Sequence, residues 1–211
     1  MKISKTSVPV SRASLRVTKG SLRVGVILGS IRKVRRGERV AKWLMPQLSK
    51  IEEAEFELLD LRDYPLPFYA EDSSPDSLEN GYSSEVATKW AAKIGEKDAY
   101  IIITSEYNHG PAAVLKNALD YVYKEWNKKP VAFVSYAPGA AAGIRAVEQL
   151  RENAIELQMA PIREAVHIGH VLDTIDEKGN LLKGHYNERI IKMVEQLLWW
   201  AKALKVARDK S

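Results

Sequence analysis

Hydrophobic positions along the chain fall into two alternating kinds of pattern. Leu22 to Leu28 (LRVGVIL), Tyr100 to Thr104 (YIIIT) and Pro130 to Tyr136 (PVAFVSY) are short apolar runs, rich in β-branched residues and without alternation. Strands buried on both faces of a parallel sheet read this way. Glu55 to Leu61 (EFELLDL) alternates, which predicts a strand near a sheet edge, and Pro161 to Ile168 gives a fifth strand. Between them the period lengthens toward that of a helix. Val40, Ala41, Trp43 and Leu44 face inward from a helix beginning near Glu38, and Val86, Trp90, Ala91 and Ile94 do so from one spanning Ser84 to Gly95. Pro111 stands near the first turn of a helix carrying Leu115, Leu119, Val122 and Trp126. A fourth helix runs through Ala146, Val147, Leu150 and Leu157, and Asn187 to Val206 is a closing helix.

Strand and helix thus alternate five times. That order predicts an α/β fold, a three-layer sandwich with a five-stranded parallel sheet between helices. With the first strand central, the flavodoxin-like order 2-1-3-4-5 is the most economical arrangement. Arg62 to Tyr82 contains Pro65, Pro67 and Pro75 and reads as a long loop, anchored in its first half by Tyr64, Leu66, Phe68 and Tyr69. Asp173 to Gly184 reads as a surface excursion. On the closing helix, Ile190, Val194, Leu197, Leu198 and Ala201 form a stripe for the sheet, whereas Met193 and Trp200 fall on a second face suited to another subunit.

Composition narrows the possibilities. The 211 residues suffice for one well-cored domain, and the absence of cysteine removes disulfides, thiolate metal sites and thiol nucleophiles, which fits a reducing, cytoplasmic setting. No apolar run approaches the roughly 20 residues of a membrane span, so no membrane partner is expected. The formal charge is +5, yet Lys2, Lys5, Arg12, Arg16 and Lys19 supply five positive charges within the first twenty residues, with no acid among them. The remainder is neutral, which argues against nucleic acid as a partner. Residues 1–20 are expected to form a disordered basic tail, with a fragment of an organelle transit sequence as the rival reading, and 21–211 the folded domain.

Candidate chemistry gathers where strands end. In open α/β sheets, ligands occupy the crevice beyond the carboxyl ends of the strands. Three loops should meet there: Gly29-Ser30-Ile31-Arg32, Ser105 to Gly110 (SEYNHG), and Tyr136 to Gly143 (YAPGAAAG). The first joins a strand to a helix N-terminus, where backbone N–H groups and the helix dipole favour a phosphate. The second offers polar and aromatic groups, and the third is small enough for close backbone approach. Together they describe a site for a flat, phosphorylated ligand such as FMN. No histidine spacing suits a metal, and His167, His170 and His185 read as structural or surface residues.

From Leu22 to Ile168 the chain resembles the NADPH-dependent FMN reductases, which include quinone, chromate and azo-dye reductases. GSIR looks like their phosphate loop, and SEYNHG with PAAVLKNALDY looks like their P-E-Y-N-x-[GS]-x-P-x-x-L-K-N-A-[IL]-D-[WY] signature. Two positions depart from it: Ser105 stands for the usual proline, and Ala140 to Ala142 for a more glycine-rich stretch. The resemblance implies that Ser30 and Arg32, helped by Arg39, hold the FMN phosphate. It places Glu106, Tyr107, Asn108 and His109 along the isoalloxazine ring, with Tyr136 and Gly139 on its other side. It further implies a homodimer or homotetramer, and ping-pong transfer from NADPH or NADH through FMN to a small-molecule quinone, flavin, azo or metal-oxyanion acceptor. The flavin carries that chemistry, so no acid–base residue is nominated.

Other readings remain. Lys33, Arg35 and Arg36 read as a solvated face, or else as attractors for the 2′-phosphate of NADPH. Lys116, Asn117 and Asp120 read as structural. A flavodoxin-like electron carrier is the alternative function, disfavoured by the basic first loop. A nucleotide-binding module is a third, but the first strand does not end in acids and no G-x-G-x-x-G follows a strand.

Overall fold

The computed structural model describes residues 22–78, 81–82 and 84–210. The expected basic tail at 1–20 lies outside the described residues. The strands are β1 (Leu22–Leu28), β2 (Ala54–Asp60), β3 (Ala99–Ser105), β4 (Pro130–Tyr136), β5 (Ala160–Pro161) and β6 (Val166–Ile168). The helices are α1 (Gly37–Leu48), α2 (Glu85–Gly95), α3 (Ala113–Asp120), α4 (Ile144–Glu156), α5 (Val171–Thr174) and α6 (Tyr186–Arg208). All strand pairs are parallel, in the order β2-β1-β3-β4-β5, with β6 also on β4. This is the flavodoxin-like arrangement that the alternation of elements predicts. No helix is long and apolar enough to cross a membrane among the described residues.

Period-two geometry explains why the central strands are apolar throughout. Val24, Val26 and Leu28 of β1, Ile101 and Ile103 of β3, and Ala132 and Val134 of β4 face α1 and α6. Ile27, Tyr100, Ile102, Val131 and Phe133 face the other way, onto α2, α3 and α4. That second layer is held by rings: Trp126 lies 4.8 Å from Tyr100 and 6.1 Å from Trp90, between centroids. Each indole finds a carbonyl, Trp90 at Ala118 and Trp126 at Leu119, as buried donors must.

Three expectations about these elements need correction. The fifth strand is two pieces rather than one run, because the chain leaves the ladder after Ile162 N donates to Val131 O (3.0 Å). Beyond that bond side chains take over: the Arg151 guanidinium donates to Ile162 O (2.6 Å) and Arg163 O (3.2 Å), and Glu164 N donates to Gln196 Oε1 (2.8 Å). The helix after Pro111 covers only Ala113–Asp120; Val122 and Trp126 are buried from the irregular turn beyond it. Met193 is fully buried in the α1/α6 layer, since it stands three residues after Ile190 and four before Leu197 and so shares their stripe. Trp200, by contrast, is 38% exposed and meets exposed Trp199 edge-on at 5.3 Å.

The long loop begins with a short 3₁₀ turn at Leu61–Asp63. Tyr64, Leu66 and Tyr69 anchor it, but Phe68 does not and is 78% exposed. Asn117 clamps the loop to α3: its Nδ2 donates to Pro67 O (2.8 Å) and its Oδ1 accepts from Tyr69 N (3.0 Å). Lys116 and Asp120 pair along the helix at 2.6 Å. The three polar residues of the signature helix therefore have structural partners.

Candidate functional site

β1, β3 and β4 end at one rim of the sheet, and their three loops meet around a cleft. Ser30 and Arg32 line it from the first loop, Glu106 and Tyr107 from the second, and Tyr136 with Pro138 from the third. The first two loops touch, with Ser30 Oγ 3.2 Å from the Tyr107 hydroxyl and the Arg32 guanidinium 6.0 Å from the Tyr107 ring centroid.

The first loop is braced by a residue that local pattern does not reveal. Arg35, expected on a solvated face, is buried; it chelates Asp60 through both terminal nitrogens and donates to Ser30 O at 2.8 Å. Burial alone would raise the Asp60 carboxyl, but the Arg35 guanidinium and Arg62 together outweigh it and hold the group below the usual carboxylate range. A signal existed in the strand lengths. Leu28 and Asp60 are register partners at the ends of β1 and β2, so Asp60 must emerge beside the first loop.

Helix α1 starts behind that loop with no side chain capping its first turn. Its N-terminal N–H groups therefore add dipole to the charge of Arg32 and half-buried Arg36 at the cleft wall. Neither arginine has an acidic partner among the described residues. Gly37 is required at this start, because a Cβ there would meet the Tyr136 hydroxyl at 2.6 Å. Tyr136 is thus the floor beneath the first loop, and burial pushes its hydroxyl pKa up, keeping it protonated.

The second loop is a two-residue hairpin. Tyr107 and Gly110 exchange backbone hydrogen bonds of 2.8 and 3.0 Å around Asn108 (φ 49°) and His109 (φ 70°). Both central residues take positive φ, as a type I′ turn demands, and asparagine tolerates this best among non-glycine residues. The turn is held from α4, where Gln149 Nε2 donates to His109 O at 2.7 Å. Asn108 and His109 are exposed at the rim, beyond the residues lining the cleft.

Glu106 lies just inside that rim, its side chain 7% exposed. Arg145, on the first turn of α4, holds Oε1 with a 2.6 Å bond from Nε and a second contact from Nη2. Oε2 is buried and has no hydrogen-bond partner. A buried acceptor left open is expensive unless a ligand N–H or O–H reaches it. Nothing in the sequence around either residue, 39 positions apart, announces this pair.

Two nominated residues stand elsewhere. Arg39 points away from the cleft and ties α1 to the excursion after α5, donating to Glu177 Oε1 (2.8 Å) and Ile175 O (3.4 Å). Gly139 crowns the third loop with nothing within 4 Å of its Cβ position, while its neighbour Pro138 lines the cleft. That loop turns sharply at Ala142 (φ 55°) and Gly143 (φ 82°), and the Ser135 hydroxyl donates to Ala142 O at 2.7 Å to hold it.

The residues present fit FMN. A hydroxyl, two unpaired guanidinium groups and a helix N-terminus suit a phosphate, and the open Glu106 carboxylate oxygen suits an imide N–H or a ribityl hydroxyl.

Comparison with known proteins agrees with this chemistry. A family profile described as NADPH-dependent FMN reductase matches residues 22–173. An NAD(P)H-dependent FMN reductase of Schizosaccharomyces pombe is 35% identical over 143 residues, covering 67% of this chain and 70% of the relative. A quinone reductase of Pseudomonas putida is 30% identical over 164 residues, covering 75% and 83% respectively. Among solved structures, a flavoenzyme NAD(P)H:(acceptor) oxidoreductase from Paracoccus denitrificans superposes with a TM-score of 0.71 at 21% identity, over 86% of this chain and 98% of that one. The phosphate-suited first loop, the signature hairpin and the matched span from β1 into α5 together place this chain in the NADPH-dependent FMN reductase family.

Proposed function

We propose that this oxidoreductase passes electrons from a reduced pyridine nucleotide to a quinone, with free flavins, azo compounds and metal oxyanions as further acceptors, from FMN seated in the three-loop cleft. When bound, FMN supplies acceptance of hydride from NAD(P)H and its release as electrons to a second substrate. The chain's own residues bind and orient. Ser30 Oγ, Arg32, Arg36 and the N–H groups opening α1 hold the phosphate. Glu106 Oε2 accepts from the ligand while Arg145 holds the carboxylate in place. Backbone groups of the 107–110 hairpin border the ring, and Tyr136, protonated, closes the floor against water.

The observation that carries this reading is the unpartnered Glu106 Oε2 beside two unpaired arginines in one cleft. A pure electron carrier needs no attraction for an anionic second substrate, whereas this cleft carries two arginines without an acidic partner among the described residues. Exposed Trp199 and Trp200 on α6 suit burial in a homodimer or homotetramer, and the cysteine-free sequence suits the cytoplasm.

The test is direct. Purified protein should carry FMN that denaturation releases, and NADPH without oxygen should bleach it within the mixing time. Adding benzoquinone should then restore the colour. FMN-loaded protein that neither nucleotide reduces would remove the reductase reading and leave the carrier.

A further inference from the structure

A second, open cavity lies beyond the third loop on its β6 side. Lys183 and Arg189 line it, and no carboxylate does. Arg189 lies over the Tyr186 ring, 5.9 Å from its centroid, and has no acidic partner among the described residues. Lys183 reaches only Asp173, at 4.0 Å between two exposed side chains. Two cations are thus held at a cavity that offers them no anion. An anionic ligand is the complement.

His167 adds a directional feature. The single hydroxyl hydrogen of Ser135 is given to Ala142 O, so the 2.7 Å contact between Ser135 Oγ and His167 Nδ1 must be donated by the ring. Burial, reinforced by Arg151 and Arg189, keeps the imidazole pKa below its ordinary value and the ring neutral. Nε2 is therefore left as an acceptor on a residue that lines the cavity. An anion alone has no use for an acceptor; a phosphorylated nucleoside has, through its hydroxyl and amino groups.

The two cavities share a wall. Pro138 belongs to the cleft, while Ala140 and Ala142 belong to the second cavity. Two residues of chain span at most about 7 Å, which an extended dinucleotide crosses easily, and the alanines present no bulk.

We propose that the second cavity seats the adenosine 2′-phosphate end of NADPH, with Arg189 and Lys183 on the phosphate and His167 Nε2 accepting from the nucleoside, while the nicotinamide end crosses the third loop into the cleft. This rests on the reductase reading and gives it a nucleotide preference. It also moves recognition of the 2′-phosphate away from the first loop, where Arg35 is already committed to Asp60.

Adenosine 2′,5′-bisphosphate and adenosine 5′-monophosphate, titrated calorimetrically into FMN-loaded protein, test the assignment without turnover. The bisphosphate should bind at least about tenfold more tightly, the gap a charge-assisted phosphate contact supports. Arg189→Ala should close most of that gap, Arg189→Lys should keep part of it, and KM for NADPH should rise in parallel. Equal affinities in the parent protein, or a gap untouched by Arg189→Ala and Lys183→Ala, would overturn the inference. So would a gap that disappears instead in Arg36→Ala. Failure of NADPH and NADH alike to bleach the flavin sinks the reductase reading itself, a result the calorimetric arm does not share.

Discussion

The two rims of the sheet treat charge in opposite ways. At the rim where strands begin, every buried ion is matched from within. Asp98, just before β3, accepts from Arg23 N (3.0 Å), Lys205 Nζ (2.7 Å) and Arg208 Nη2 (3.2 Å). Buried Lys97 bonds Glu57 and Glu96, and Lys129, just before β4, donates to the Ile94 and Gly95 carbonyls at 3.0 and 3.1 Å. At the rim where strands end, Arg32 and Arg36 line the cleft with no acidic partner among the described residues, and Glu106, held by Arg145 through Oε1 alone, keeps one buried oxygen open. One rim is finished as a structure; the other becomes so only with a ligand.

That contrast can be broken by experiment. The largest expected effect is at the closed rim. Asp98→Ala removes a buried carboxylate that three donors share, and should destabilise the fold by about 3 kcal/mol in urea unfolding. FMN affinity should be unchanged, because the cleft is at the far end of β3. Next, Gly37→Ala drives a Cβ into the Tyr136 hydroxyl and to 2.9 Å from Leu28 Cδ1. Overpacking of this kind costs about 2 kcal/mol, and since it displaces the start of α1, FMN retention should fall with stability.

A smaller effect follows pH. Burial lowers the Lys129 ammonium to about 8, below the roughly 10.4 of an unfolded lysine. Between those values the unfolded chain binds a proton that the folded one does not, so this group makes stability rise with pH, at up to about 1 kcal/mol per unit. Urea midpoints measured from pH 8 to 9.5, below the tyrosine range, should climb relative to those of Lys129→Met. Parallel profiles for the two proteins would show that the amine is charged in the folded state.

The sequence displays the strands well because a doubly covered strand has no polar face to confuse its pattern, as β1, β3 and β4 illustrate. It displays the second loop well because the hairpin and its helix form one continuous signature. What it hides is pairing across distance. Arg35 looks like one cation in a basic run until Asp60 is placed beside it by strand register. Arg39 looks like a phosphate ligand until Glu177, 138 positions away, takes its guanidinium. The break in the last strand depends on Arg151 and Gln196, which lie on two different helices, and the Glu106–Arg145 pair likewise joins separate elements. Met193 was legible, since its spacing to Ile190 and Leu197 puts it on the buried stripe.

The proposed function turns on a phosphate held by the first loop and the start of α1. Paired dissociation constants for FMN and riboflavin measure that hold directly, because the two ligands differ only in the phosphate. FMN should bind the parent protein more tightly by at least about a hundredfold, and Arg32→Ala should take about tenfold from FMN while leaving riboflavin nearly unchanged. Equal affinities for the two ligands in the parent protein would contradict the account.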